Sequence, residues 1–200
     1  MLDSPLPAAV VPALAGRFGH EYRFVVRCPS TQRLFPAEAQ EGAVAVTDEQ
    51  TEGRGRLGRQ WLAPAGTSVL CSVLLRPAVP TPRLPELSVV AGRACAEAIA
   101  AVTGLEPTVK LPNDVLVGDR KAAGILAEAS EGRVVVGIGI NVHQRAGELP
   151  GGTDPPTTSL DLESGVAADR RDVVVALLDR LERRYDEWLA LAQRDLAVDD

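Results

Sequence analysis

Two apolar runs, residues 42–46 and 68–75, have the length and composition of β-strands, and they bracket the least strand-like stretch of the chain. Between them, residues 48–61 read Asp-Glu-Gln-Thr-Glu-Gly-Arg-Gly-Arg-Leu-Gly-Arg-Gln-Trp, with three arginines and three glycines between Gly53 and Arg59. A segment held at both ends by core strands is a loop on a folded scaffold rather than a tail. Its glycines permit positive φ and close approach of backbone to a ligand. Its arginines present forked donors matched to carboxylate and phosphate oxygens. Trp61 adds a flat surface on which a base can stack. Read alone, a Gly/Arg stretch is as well explained as a solvated connector. The flanking strands favour a loop that grips anions and is ordered or able to order.

The chain has 200 residues, enough for one substantial core or one domain with a small appendage. A net charge of −6 argues against the broad basic surface of a nucleic-acid binder. The positive charge of the loop therefore suits a small anion. Cys28, Cys71 and Cys95 are widely spaced and odd in number, which fits packing thiols in a reducing cytoplasm. His20 and His143 are too isolated to suggest a zinc site. No apolar run reaches the length of a membrane span, and the start lacks a secretory pattern. The expectation is a cytoplasmic protein that engages neither membrane nor nucleic acid.

The remaining pattern predicts an α+β fold, a mixed β-sheet flanked by helices. Residues 1–20 read as a short helix or loose entry segment, ahead of a domain over 21–196. Residues 22–26 alternate as a strand, and Ser30 or Thr31 is placed to cap a helix reaching about Glu41. Pro85 opens a helix to about Val102, with Leu87, Val90, Ala94, Ala98 and Val102 on one face and Gly104 closing it. Strands follow at 108–111, 115–117, 121–128 and 133–142. A Pro/Gly-rich loop covers about 146–158. A final amphipathic helix over 168–191 carries a buried stripe of Val174, Leu177, Leu178, Leu181, Tyr185 and Trp188.

Three further segments carry chemistry besides the arginine loop. Ser30-Thr31-Gln32 follows the first strand. Lys110-Leu111-Pro112-Asn113-Asp114, with Lys121, offers a point charge for phosphate and a carboxylate for a divalent cation. Lys121 leads the apolar strand Ala122-Ala123-Gly124-Ile125-Leu126, and an ammonium there is costly to bury unless an anion meets it. The plainer readings are an Asn-Asp turn and a surface lysine. In Gly137-Ile138-Gly139-Ile140-Asn141 the glycines either let two backbones approach closely or leave a bare wall for a flat ligand.

In this order the segments resemble the biotin protein ligase family. The matching pieces are Ser30-Thr31, Gly53 through Trp61, Lys110 through Asp114, Asp119 through Leu126, and Gly137 through Val142, and the likeness covers about residues 24–190. The resemblance implies an enzyme, a ligase that joins biotin to ATP with Mg2+, giving biotinyl-5′-adenylate. Biotin is then transferred to one lysine of a biotin carboxyl carrier domain. It further implies catalytic roles for Lys121, Arg54 and Arg56. Biotin contacts would come from Ser30, Thr31, Gln32, Gln50, Arg54, Gly55, Arg56, Lys121, Gly124, Gly137 and Gly139. Nucleotide contacts would come from Arg56, Arg59, Trp61, Lys110, Asn113 and Asn141, and a metal contact from Asp114, which is also a candidate base for the attacking lysine.

Two positions depart from the family. Gln32 stands where Asn is usual, and Leu111 where Trp is usual, which alters a wall expected near the nucleotide. The segment before the first strand is too short for the helix-turn-helix of the bifunctional ligase-repressors. The chain also ends where the family normally continues into a small β-barrel. Together these lead to an expectation of a monofunctional enzyme, a monomer or weak homodimer. Two alternatives stand beside it: a lipoate or octanoate ligase or transferase of the same superfamily, whose members match the arginine loop poorly, and a biotin-binding module without efficient transfer.

Overall fold

The computed structural model describes residues 3–198; Met1 and Leu2 of the entry segment and Asp199 and Asp200 at the chain end lie outside the described residues. The elements in order are a one-turn helix α1 (Pro7–Val10), strands β1 (Tyr22–Cys28), β2 (Val44–Gln50) and β3 (Ser68–Leu75), and helix α2 (Glu86–Thr103). Then come β4 (Pro107–Lys110), β5 (Asp114–Val117), β6 (Arg120–Ser130), β7 (Arg133–Asn141), a short helix α3 (Leu160–Ser164) and a long helix α4 (Arg170–Val198). The seven strands form one sheet in the order β1-β2-β3-β7-β6-β5-β4. The β1–β2 pair is parallel and every other pair is antiparallel, so the sheet is mixed as expected.

Strand alternation decides what each face does. On β7, Val134, Val136, Ile138 and Ile140 join the main core, where they meet Leu87, Ala91, Cys95 and Ile99 of α2 and Val174, Leu177, Leu181 and Tyr185 of α4. The intervening Gly137, Gly139 and Asn141 face away from the helices and line a cavity. β3 is buried along its whole length, as a central strand covered on both faces must be. The α4 stripe is the one read from the sequence, and its two large aromatics satisfy their polar atoms: Tyr185 Oη donates to Glu41 Oε2 (2.9 Å) and Trp188 Nε1 to Glu86 Oε2 (2.7 Å). On α2 the buried stripe is broader than the sequence suggested, taking in Ala91, Cys95 and Ile99 while Val90 and Val102 stay partly exposed. Gly104 ends the helix in the left-handed conformation that glycine adopts without strain.

One expected helix is absent. Thr31–Arg33 makes a single 3₁₀ turn and the chain does not continue helically to Glu41. Thr31 spends its hydroxyl on Ser72 and Gln50, and no side chain caps the turn. Pro36 then disfavours helical geometry at Phe35. Conversely, the α3 turn lay unrecognised beyond the Pro/Gly-rich loop. No helix among the described residues is long and apolar enough to cross a membrane.

The entry segment is fastened to the core by a polar cluster. Arg170, at the start of α4 and almost fully buried, bonds Asp3 (Nε–Oδ2 3.1 Å) and Asp48 of β2 (Nη1–Oδ1 2.8 Å). His143 lies between two carboxylates, Nε2 to Asp3 at 2.5 Å and Nδ1 to Asp161 at 2.7 Å. Both ring nitrogens can donate only when the imidazole is protonated. Burial disfavours that charge, but the hydrogen bonds to Asp3 and Asp161 outweigh it, and the His143 pKa is raised. The same contacts with Arg170 and His143 overcome burial at Asp3 and hold its carboxyl down at about 2. The stabilisation from His143 is complete below its unfolded value of about 6.5 and is lost as pH rises through the higher folded value. Denaturant unfolding followed across that window should show the wild-type chain losing stability on the alkaline side, and a His143→Gln chain lacking that loss.

Candidate active site

The cavity is assembled on the sheet face opposite the helices from several separate parts of the chain. At one end, the turn after β1 supplies Ser30, Thr31 and Gln32, and β2 supplies Gln50 at its last residue. Gln50 Oε1 accepts from Thr31 N (2.8 Å) and Thr31 Oγ1 (3.1 Å). Because Thr31 donates to Gln50, its remaining bond at 2.7 Å to the buried Ser72 Oγ makes Ser72 the donor. This one-way relay fixes which end of the Gln50 amide is the acceptor and leaves Nε2 as a donor at the cavity. Gln32 Nε2 donates to Leu126 O (3.0 Å), and a Cβ on Gly137 would lie 3.1 Å from that nitrogen. The glycine makes room for the longer amide.

The arginine segment is a hairpin. Trp61 N bonds Gly53 O (2.9 Å), Arg54 pairs with Gln60, and Gly55 N bonds Arg59 O (2.8 Å). Its tip turns through Leu57 (φ 57°) and Gly58 (φ 74°), both left-handed. Leucine in that conformation carries strain of about 1 kcal/mol, tolerated here at an exposed tip. Arg56 reaches across to Asn113 (Nη1–Oδ1 3.0 Å), and Arg59 Nε returns to Arg56 O (3.3 Å).

At the base of the hairpin, the Trp61 indole lies on the glycine wall of β6 and β7. A Cβ on Gly139 would stand 2.5 Å from Trp61 Cε2, and one on Gly124 would stand 2.8 Å from Cζ3. No side chain fits at either position, and what lies against the bare backbone there is the chain's own indole, not a second backbone. The indole Nε1 is buried and has no hydrogen-bond partner, a donor in need of an acceptor.

Lys121 holds the centre. Its side chain is 20% exposed, and its ammonium is met at 2.7 Å by Asp114, whose side chain is 16% exposed, the anion that its position on an apolar strand demanded. It also stands 5.8 Å from the centre of the Trp61 ring, within cation–π range. Asn113 Nδ2 donates to the same Asp114 Oδ1 (3.1 Å). The Pro/Gly-rich loop clamps the Lys121 backbone on both sides: Lys121 N bonds Pro156 O (2.7 Å) and Thr158 N bonds Lys121 O (2.9 Å).

Of the residues singled out from the sequence, all but Lys110 line this cavity. Lys110 is exposed on β4, the edge strand, and Leu111 is 68% exposed and is not among the residues lining the cavity. Asn141 lines the cavity with its amide already committed, Nδ2 to Thr158 O (2.9 Å) and Oδ1 to Gln144 Nε2 (3.0 Å), which makes it a strut for the loop. Sequence reasoning missed Thr153, Asp154, Pro155 and Thr157 on the Pro/Gly-rich loop, whose composition marks a connection and nothing more. It also missed Cys71 in the wall, where burial pushes the thiol up to about 12 and leaves a neutral packing group. Among the described residues no group of three or more His, Cys, Asp and Glu could hold a metal ion.

The architecture is a mixed sheet whose glycine-lined face is roofed by an arginine hairpin, with a cavity between them. The chain belongs to the biotin/lipoate A/B protein ligase family, which it matches over residues 25–144. It is 38% identical over 156 residues to the bifunctional ligase/repressor BirA of Bacillus subtilis, covering 76% of this chain and 48% of that protein. It is 42% identical over 153 residues to the biotin–[acetyl-CoA-carboxylase] ligase of Mycobacterium tuberculosis, covering 74% and 56% respectively. The chain thus spans about half the length of these relatives. The fold superposes on the Aquifex aeolicus biotin protein ligase in complex with biotin and ATP with a TM-score of 0.77 at 34% identity, over 86% of this chain and 72% of that one.

The glycine wall gives a direct test. Gly139→Ala should lift the Trp61 indole off β7, shifting its fluorescence emission to longer wavelength while the buried Trp188 contributes an unchanged component. An unaltered spectrum would show that the indole does not rest there.

Proposed function

We propose that this domain activates biotin with ATP to biotinyl-5′-adenylate and passes the biotinyl group to a lysine of a carrier domain. The observation that carries the reading is the cavity itself. It gathers Lys121, Arg56 and Arg59, an indole with a free N–H seated on the glycine wall, and an oriented Gln50 amide, on a fold shared with a relative whose structure holds biotin and ATP.

The chemistry requires two anions to meet. A carboxylate oxygen attacks the α-phosphorus; the new P–O bond forms as the α–β bridge breaks and pyrophosphate leaves. Lys121 and Arg56 supply positive charge held in place beforehand, the arrangement that stabilises a transition state most cheaply. The Trp61 indole, seated on the glycine wall, offers its flat surface to the ring system, with Gln50 Nε2 and Trp61 Nε1 as donors to its acceptors. The hairpin excludes water from a mixed anhydride that water would hydrolyse. In the second step a neutral lysine amine attacks the activated carbonyl, a C–N bond forms and AMP departs. Asp114 Oδ1 is committed to Lys121 and Asn113, so a base role toward that amine would fall to its Oδ2.

Magnesium would neutralise triphosphate charge. The donor set suits an ion carried in by the nucleotide, with Asp114 Oδ2 as the protein oxygen, since no multi-carboxylate cage exists among the described residues.

Calorimetric titration with biotin, lipoate, and then ATP with magnesium tests this reading. Biotin should bind at micromolar strength or tighter, and ATP should then produce pyrophosphate. Lys121→Met and Arg56→Ala should each lower the rate of pyrophosphate formation about 100-fold, the scale of losing one preorganised charge. Binding of lipoate in place of biotin would overturn the assignment.

A further inference from the structure

The two arginines flanking Gly55 are held in different ways. Arg56 gives one nitrogen to the neutral amide of Asn113. Arg54 gives both terminal nitrogens to a single carboxylate, Nη1 to Glu128 Oε2 at 2.9 Å and Nη2 to Glu128 Oε1 at 2.7 Å. That two-point grip uses the fork with which a guanidinium would meet a second anion. Glu128 lies on β6 four residues beyond Gly124, so alternation puts it on the face of the glycine wall. It is not among the residues lining the cavity.

Arg54 is also a fixed point of the hairpin, paired with Gln60 one step above the Gly53–Trp61 bond. A tether there holds the loop between the Trp61 indole at its base and the Arg56 tip. Resting on the ligase reading of this site, we propose that Arg54 and Glu128 are the latch that keeps the hairpin over the adenylate. Glu128 is then a positioning residue, and the anion chemistry falls to Arg56 and Lys121. The exposure of the pair suits the task. With side chains 46% and 35% exposed, it biases a closed loop by a few-fold and still lets the loop open in each turnover.

The hairpin carries its own reporter, because the bonds after Arg56 and Arg59 sit in a closed turn, pinned by Gly55 N to Arg59 O and by Arg56 to Asn113, that must open before trypsin can cut there. In the full chain, Glu128→Gln should raise cleavage at these two bonds about three- to five-fold, measured by mass spectrometry against sites elsewhere in the same chain. The charge exchange Arg54→Glu with Glu128→Arg should restore protection. Unchanged cleavage in Glu128→Gln, or no recovery in the exchange, would overturn the latch. These measurements need neither biotin nor ATP, so a latched chain that forms no adenylate would sink the ligase reading alone. With adenylate preformed from labelled biotin, Glu128→Gln should release it about three- to five-fold faster than wild type. Equal release rates would refute a role for the latch in retaining the intermediate.

Discussion

Everything in the cavity is arranged around one costly act, the placement of the Lys121 ammonium on an apolar strand. An unpaired cation there would be heavily penalised, so the fold must deliver an anion to it. It does so with the tight β4–β5 connection: Asp114 begins β5, the strand beside β6, and meets Lys121 directly. Asn113 then holds Asp114 Oδ1 while its own oxygen receives Arg56. A single half-buried charge thus recruits the hairpin tip, the β4–β5 turn and the start of β6 into one network. The Pro/Gly-rich loop adds main-chain bonds on both sides of Lys121, so the lysine is positioned by backbone as well as by charge.

The opposite end of the cavity follows a different rule. There the polar atoms are neutral, and direction comes from hydroxyl groups passing a donor along the line from Ser72 through Thr31 to Gln50. Such a relay costs little to bury because each member is satisfied, and it specifies a unique orientation that a lone amide would lack. Charged and neutral ends are joined by the glycine wall, where the missing side chains let one indole touch two strands.

Much of this was legible in the sequence because the informative signals are local. Strand alternation on β7, the stripe of α4 and the density of arginine and glycine between two strands each follow from a few consecutive residues. Gathering of the site residues was legible through the resemblance, since the order of the motifs carries it. What escaped depends on partners distant in sequence. Nothing near Thr31 says that its hydroxyl is taken by Ser72, and that commitment is part of why the turn does not extend into a helix. Nothing near Thr157 says that it pairs with Lys121. Lys110 shows the converse: a lysine two residues before a proline turn carries no local sign of which way the edge strand will present it, and it falls outside the cavity.

The three cations that matter most are each already bound to a partner inside the protein: Lys121 to Asp114, Arg54 to Glu128 and Arg56 to Asn113. An incoming anion therefore competes for donors that are already ordered. The entropy of fixing long side chains has been spent in folding, and the competition depends on how firmly each donor is held. Arg56, held by one neutral contact, yields most readily. Lys121 has three donors and can add an anion without releasing Asp114. Arg54 must surrender a bidentate carboxylate, which is the poorest exchange of the three. The same physical criterion that ranks these side chains as anion ligands underlies the proposed division between residues that would hold a substrate and a residue that would hold the loop.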